Sequence, residues 1–131
     1  MNYQQERIDL EAPLSGDFQA VVRLIIGGIA ERVDFAFEEI DDLQLAVERL
    51  LAEAAPQGDV RFSFELRDGA VRTRVGPLRE SPIAQALQGP PERPGELGLR
   101  TILETVVDAF SVEDARDGSL VVVLDKVVHR S

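Results

Sequence analysis

The stretch DLQLAVERLLAEAA, residues 42–55, decides how the rest of the chain is read. Leu43, Val47, Leu50 and Ala54 recur at steps of four, three and four, the spacing of one face of an α-helix. A second stripe, Asp42, Leu45, Ala46, Arg49 and Glu53, runs down another side. The sequence predicts a helix from about residue 37 to 55. Glu38, Glu39, Asp41 and Asp42 crowd its first two turns, where the partial positive charge of a helix N-terminus favours carboxylates. Pro56-Gln57-Gly58-Asp59 stops it.

Towards the N-terminus, Phe18, Val21, Val22, Ile25, Ile29 and Val33 make a second helical stripe. They predict a helix from about Gly16 to Val33, with Ser15 as its N-cap. Leu24 and Ile26 widen the stripe beyond what one core face needs, as in a buried helix or one that also meets a partner. Gly27-Gly28 weakens this helix by roughly 1 kcal/mol per glycine and reads as close packing against another backbone. Before it, residues 6–12 alternate as a first strand ended by Pro13.

Towards the C-terminus, Val60, Phe62, Phe64 and Leu66 alternate with Arg61, Ser63, Glu65 and Arg67. Asp68-Gly69 reads as a type I′ turn returning through residues 70–75, a hairpin with one apolar and one charged face. From Gly76 to Gly95 the periodicity collapses into a proline-rich loop, with at most a helical turn over residues 83–87. A loop of that length in a compact domain is functional or mobile. Leu99, Ile102, Leu103, Val106, Val107 and Phe110 predict a third helix over residues 97–109. A last hairpin pairs residues 110–115 with 120–128 across Asp117-Gly118. The apolar run Leu120 to Leu124 reads as a strand covered on both faces.

The expected architecture is α/β (α+β). It is a two-layer sandwich with a mostly antiparallel five-stranded sheet and three helices on one face, folded from residues 1–131 as a single domain. With 131 residues and 44% apolar composition the chain can fill one core. Its 24 acidic and 14 basic residues leave a net charge of −10, which repels phosphate backbones and speaks against nucleic acid as a partner. The absence of cysteine excludes thiolate zinc sites and a cysteine nucleophile, and the single His129 excludes a multi-histidine metal site or a histidine triad. No apolar run has transmembrane length and the first ten residues do not read as a signal peptide, so no membrane association and a cytoplasmic location are expected.

Residues 8–55, including VVRLIIGGIAERVDFAFEEIDDLQLAVERLLAEAA and its E-x-x-D-L-x-x-A-V segment at Glu39 to Val47, resemble the anti-sigma serine kinases of bacteria. These are small members of the histidine-kinase/Hsp90-like (GHKL, Bergerat-type) ATPase fold. The resemblance weakens afterwards but runs through both hairpins and the third helix. It implies partners: a sigma factor, and a STAS-type anti-anti-sigma protein that the family phosphorylates on serine with ATP and Mg²⁺. It also implies a homodimer. It assigns roles by position. Arg49 stands where the family has its general-base glutamate, and Glu53 where it has a metal-holding asparagine. Val75 and Pro77 replace the aspartate and glycine that receive adenine. Glu96 and Gly98 stand for the glycine pair beneath the phosphates, with Gly95 one residue earlier. Arg23 matches a partner-contacting arginine.

Arginine has no acceptor and stays protonated, so it cannot take a serine proton. Glu53 could still ligate a cation. The plainer expectation is that Arg49 and Glu53 form an i,i+4 ion pair. Valine accepts no hydrogen bond, proline lacks an N–H, and Glu96 sets negative charge where phosphates would come. No catalytic residue and no ATP or Mg²⁺ cofactor are therefore expected. The reading is a regulator that acts by protein binding alone. The alternative is an active serine-protein kinase whose base is Glu48 after a local rearrangement, although a one-residue shift turns a side chain by about 100°. A further possibility is another small ligand in the cleft.

Overall fold

A computed structural model describes residues 6–13, 18–54, 59–88, 98–116 and 118–128. The chain runs β1 (Glu6–Pro13), α1 (Phe18–Val33), α2 (Phe37–Ala54), β2 (Asp59–Arg67), β3 (Ala70–Arg79), α3 (Glu80–Gln88), α4 (Leu99–Val106), β4 (Ala109–Asp114) and β5 (Ser119–Val127). The five strands form one sheet in the order β1-β2-β3-β5-β4, and every neighbouring pair is antiparallel. The helices cover one face of it, as expected of an α+β sandwich.

There are four helices among the described residues, not three. The fourth, α3, lies in the segment expected to be a loop. Pro82 sits in its first turn, where a missing N–H removes no intrahelical bond. Ile83 and Leu87, four residues apart, are buried in the common core. The preceding Gly76 to Arg79 prolongs β3, with Leu78 opposite Leu120 after an irregularity in register. The third expected helix is shorter, ending at Val106, because the Asp108 N–H donates to the Asp125 carbonyl and draws the chain into β4.

α2 is organised as its spacing demands. Leu43, Val47 and Leu50 are wholly buried. Ala46 is buried with them and leaves the second stripe. Burying each aliphatic side chain contributes about 1.5–3 kcal/mol. The junction with α1 is tight. Asp34 takes a positive φ of 63°, and the Phe35 N–H reaches back to the Ala30 carbonyl at 3.0 Å. This is a Schellman closure with aspartate where glycine is usual, sealed by the buried Phe35. Glu39 then accepts from the Ala36 N–H at 2.7 Å, the reciprocal half of a capping box.

Gly69 has φ 72° while Asp68 keeps negative φ, so the β2–β3 turn is not type I′. A type I′ turn needs the left-handed region at both central residues, and aspartate enters it at a cost. The cap expected at Ser15 lies outside the described residues.

The open face of the sheet is charged. Arg7–Asp9, Arg61–Glu11, Arg72–Asp125, Arg74–Glu65 and Arg74–Glu113 pair across it. Among the described residues no second layer covers Leu120 to Leu124 there. β5 lies between the strands of Arg74 and Glu113, so their 3.4 Å ion pair passes over it beside Val121 and Val123. Val123 is only 4% exposed as a result, shielded by long side chains rather than by a helix.

A backbone approaching Gly27 or Gly28 was expected, and the structure corrects this. Among the described residues, a Cβ built on either glycine meets nothing within 4 Å. Gly28→Ala should therefore stabilise α1 by about 1 kcal/mol and raise the melting temperature by about 4 °C, as read by differential scanning calorimetry.

Candidate functional site

α2, the end of β3, α3 and α4 meet on the helical side of the sheet, where the resemblance sets a nucleotide cleft. Asp42, Arg49 and Glu53 lie seven and four residues apart along the flank of α2 that carries the Lys126 contact. Arg49 and Glu53 are exposed. No ion pair joins them among the described residues, which corrects the expected i,i+4 pair. Their order, base before acid, is the less favourable one along a helix, and exposed pairs of this kind are worth only a few tenths of a kcal/mol.

Val75 is 0% exposed, packed in the core with Leu78, Ile83 and Leu103. Its side chain shares the helical face of the sheet with Val71 and Thr73. Gly76 presses on β5: a Cβ there would lie 2.8 Å from Val121 Cγ2 and 3.0 Å from the Leu120 carbonyl oxygen. Only glycine fits. Pro77 is exposed and follows a cis peptide bond. Gly98 caps α4 with extended backbone and no side-chain hydrogen bond. Glu96 and Gly95 lie outside the described residues.

At the positions where the resemblance puts the adenine acceptor and the serine base, this chain has the buried isopropyl group of Val75 and the exposed guanidinium of Arg49, neither of which accepts a hydrogen bond. Among the described residues no group of three or more His, Cys, Asp or Glu side chains is arranged to hold a metal ion. Glu48, the alternative base, turns the other way: its carboxylate is held by the Arg23 guanidinium of α1. That bond and the adjacent charge raise the Arg23 pKa above its ordinary value. Arg23 is still 59% exposed, and its carbonyl accepts from Gln44 Nε2 at 3.3 Å.

The sequence reading missed Lys126. This lysine is 5% exposed, and its ammonium donates to the Val106 carbonyl at 2.8 Å and to Asp42 Oδ2 at 3.2 Å. It ties the last turn of α4 to α2 from β5. The signal was present: Lys126 falls two residues after Leu124, at an inward position of the strand, where a charge requires a partner.

The amino-acid sequence has relatives along nearly its whole length. It is 27% identical to the serine-protein kinase RsbW of Halalkalibacterium halodurans over 149 aligned positions, covering 98% of this chain and 87% of that protein. The chain is a distant homologue of the RsbW serine-protein kinases. RsbW of Bacillus cereus and of Bacillus anthracis are each 23% identical over 141 positions, 95% of this chain and 87% of theirs. No protein-family model matches. With this homology, the antiparallel sheet and its helical layer are consistent with a GHKL-type ATPase fold. No described helix is long and apolar enough to cross a membrane.

A cavity of about 310 Å³ opens at one end of the sheet, lined in part by Glu65, Arg67, Arg72, Asp125 and Val127. Lys126 and Val71, which face the helices, line it as well.

Lys126→Met should destabilise the fold by about 2–3 kcal/mol, because the Val106 carbonyl and Asp42 lose their donor in a largely buried place. Urea unfolding should show a lower midpoint with an unchanged m-value.

Proposed function

We propose that this chain is a regulator of the anti-sigma type that acts by protein binding and transfers no phosphoryl group. Its partners are a sigma factor, a STAS-type anti-anti-sigma protein, or both in exchange. A homodimer belongs to the same reading.

Homology to RsbW over nearly the whole chain supports the regulatory role. The observation that carries the absence of catalysis is Val75. Its side chain is fully buried in the core where the resemblance requires an exposed carboxylate for the purine. An isopropyl group offers no acceptor in any packing. Arg49 adds a second, independent loss, that of the proton acceptor. Phosphoryl transfer depends on positioning and charge neutralisation, so both losses fall on the functions a protein must itself supply.

Thermal-shift measurements with Mg-ATP and Mg-ADP test this. A ligand at one hundred times its dissociation constant stabilises the fold by about 2.7 kcal/mol. The expected result is no shift at millimolar nucleotide. Arg49→Glu should restore neither binding nor serine phosphorylation of a STAS-type substrate, since residue 75 still offers no acceptor. A clear rise in melting temperature with Mg-ATP, abolished by Glu53→Ala, would favour the kinase reading instead.

A further inference from the structure

The outer surface of the α1–α2 hairpin carries large apolar side chains in water. Leu24 is 76% exposed, Phe37 80% and Leu45 40%. They share one face. The Arg23–Glu48 ion pair and the bond from Gln44 to the Arg23 carbonyl bring α1 beside α2 at this level, and Leu24 and Leu45 are the next residues. Phe37, Asp41 and Leu45 follow at steps of four along α2, a stripe of about 12 Å. On α1, Leu24 is followed four residues on by Gly28, with Gly27 beside it. Space for a Cβ is open at both glycines, so the strip has a side-chain-free dent in its middle. Exposed Glu31, Glu38 and Asp41 border it.

From this face we infer that the hairpin docks a cationic amphipathic helix of a partner protein. The inference rests on the reading of the chain as a binding protein and names the chemistry of what is bound. Helix-in-groove recognition uses apolar anchors at steps of three and four, which the strip and its dent receive. Charge selects the occupant. Glu38 and Asp41 of α2 and Glu31 of α1 stand exposed along the strip, while Glu48 is held by the Arg23 guanidinium. A second copy placed here would set carboxylates against carboxylates. Lysines or arginines flanking an apolar stripe complement Glu31, Glu38 and Asp41 at the rim, where they steer encounter and fix orientation.

The probe is a labelled peptide of about 18 residues, long enough for several helical turns, with leucine at one helical face and lysine elsewhere. A second peptide carries glutamate in place of lysine. Fluorescence anisotropy is measured against the full chain, and amide chemical shifts locate the contact. The lysine peptide should bind at least tenfold more tightly than the glutamate peptide and shift amides around Leu24, Gly28 and Phe37. The double variant Leu24→Ser, Phe37→Ser leaves every charge in place and should weaken binding at least tenfold. Gly28→Gln fills the dent while removing a helix-weakening glycine. It should lower affinity while raising the melting temperature, which separates blockage from unfolding. Equal affinity for the two peptides, no effect of these variants, shifts confined to the Arg49–Glu53 side, or self-association of the chain abolished by Leu24→Ser would each overturn the inference. The outcome is independent of nucleotide: an ATP-binding chain that docks the peptide sinks the non-catalytic reading alone, and the reverse sinks the docking face alone.

Discussion

The buried face of α2 is the constraint on which the other elements depend. Leu43, Val47 and Leu50 are inaccessible to water and belong to the one core that the sheet and the other helices also line. That face holds the helix against rotation, because a turn of one residue would bury Gln44 or Glu48 and expose leucine. Two polar anchors add to it at one end: Glu39 caps the first turn, and Lys126 holds Asp42. Once the rotation of α2 is set, its two flanks are set as well. One carries Arg49 and Glu53, the other Glu48 and Leu45.

The core uses only the inward face of α2, so Arg49 and Glu53 contribute nothing to packing and carry no structural penalty there. Val75 is different. An aspartate buried at that position would need solvent or a ligand beside it, whereas valine joins the apolar cluster with Ile83 and Leu103 and strengthens it. Valine at this position is therefore favourable for the fold. α3 follows the same logic, closing its Ile83 and Leu87 onto the core.

The two outer surfaces are built on opposite principles. On the sheet, arginines and carboxylates pair in a near-neutral lattice that covers Val123 and leaves little to attract a partner. On the helical hairpin, apolar side chains stand in water among carboxylates. Exposed leucine and phenylalanine at these fractions, arranged on one face, are unusual for a surface whose only task is solubility.

The sequence by itself determined the periodic elements: the apolar steps of α2, the alternation of β2 and the order of the five strands and of α1, α2 and α4 follow from spacing, because a period of 3.6 or 2 needs no partner to be recognised. That Arg49 and Val75 carry no hydrogen-bond acceptor and Pro77 no N–H is likewise plain from residue type alone. Other features waited on the tertiary structure. Whether Ile83 and Leu87 make a helix depends on a cleft for them to fill. Leu24 and Ile26 look alike in sequence, yet one is 76% exposed and the other 0%, since only packing against α2 and the sheet fixes which side of α1 faces inward. Asp34 at positive φ, the bridge of Lys126 across 84 residues to Asp42, and the shield of Arg74 over Val123 are likewise invisible to local pattern. Each joins groups distant along the chain, or relies on a backbone conformation that the surrounding contacts impose.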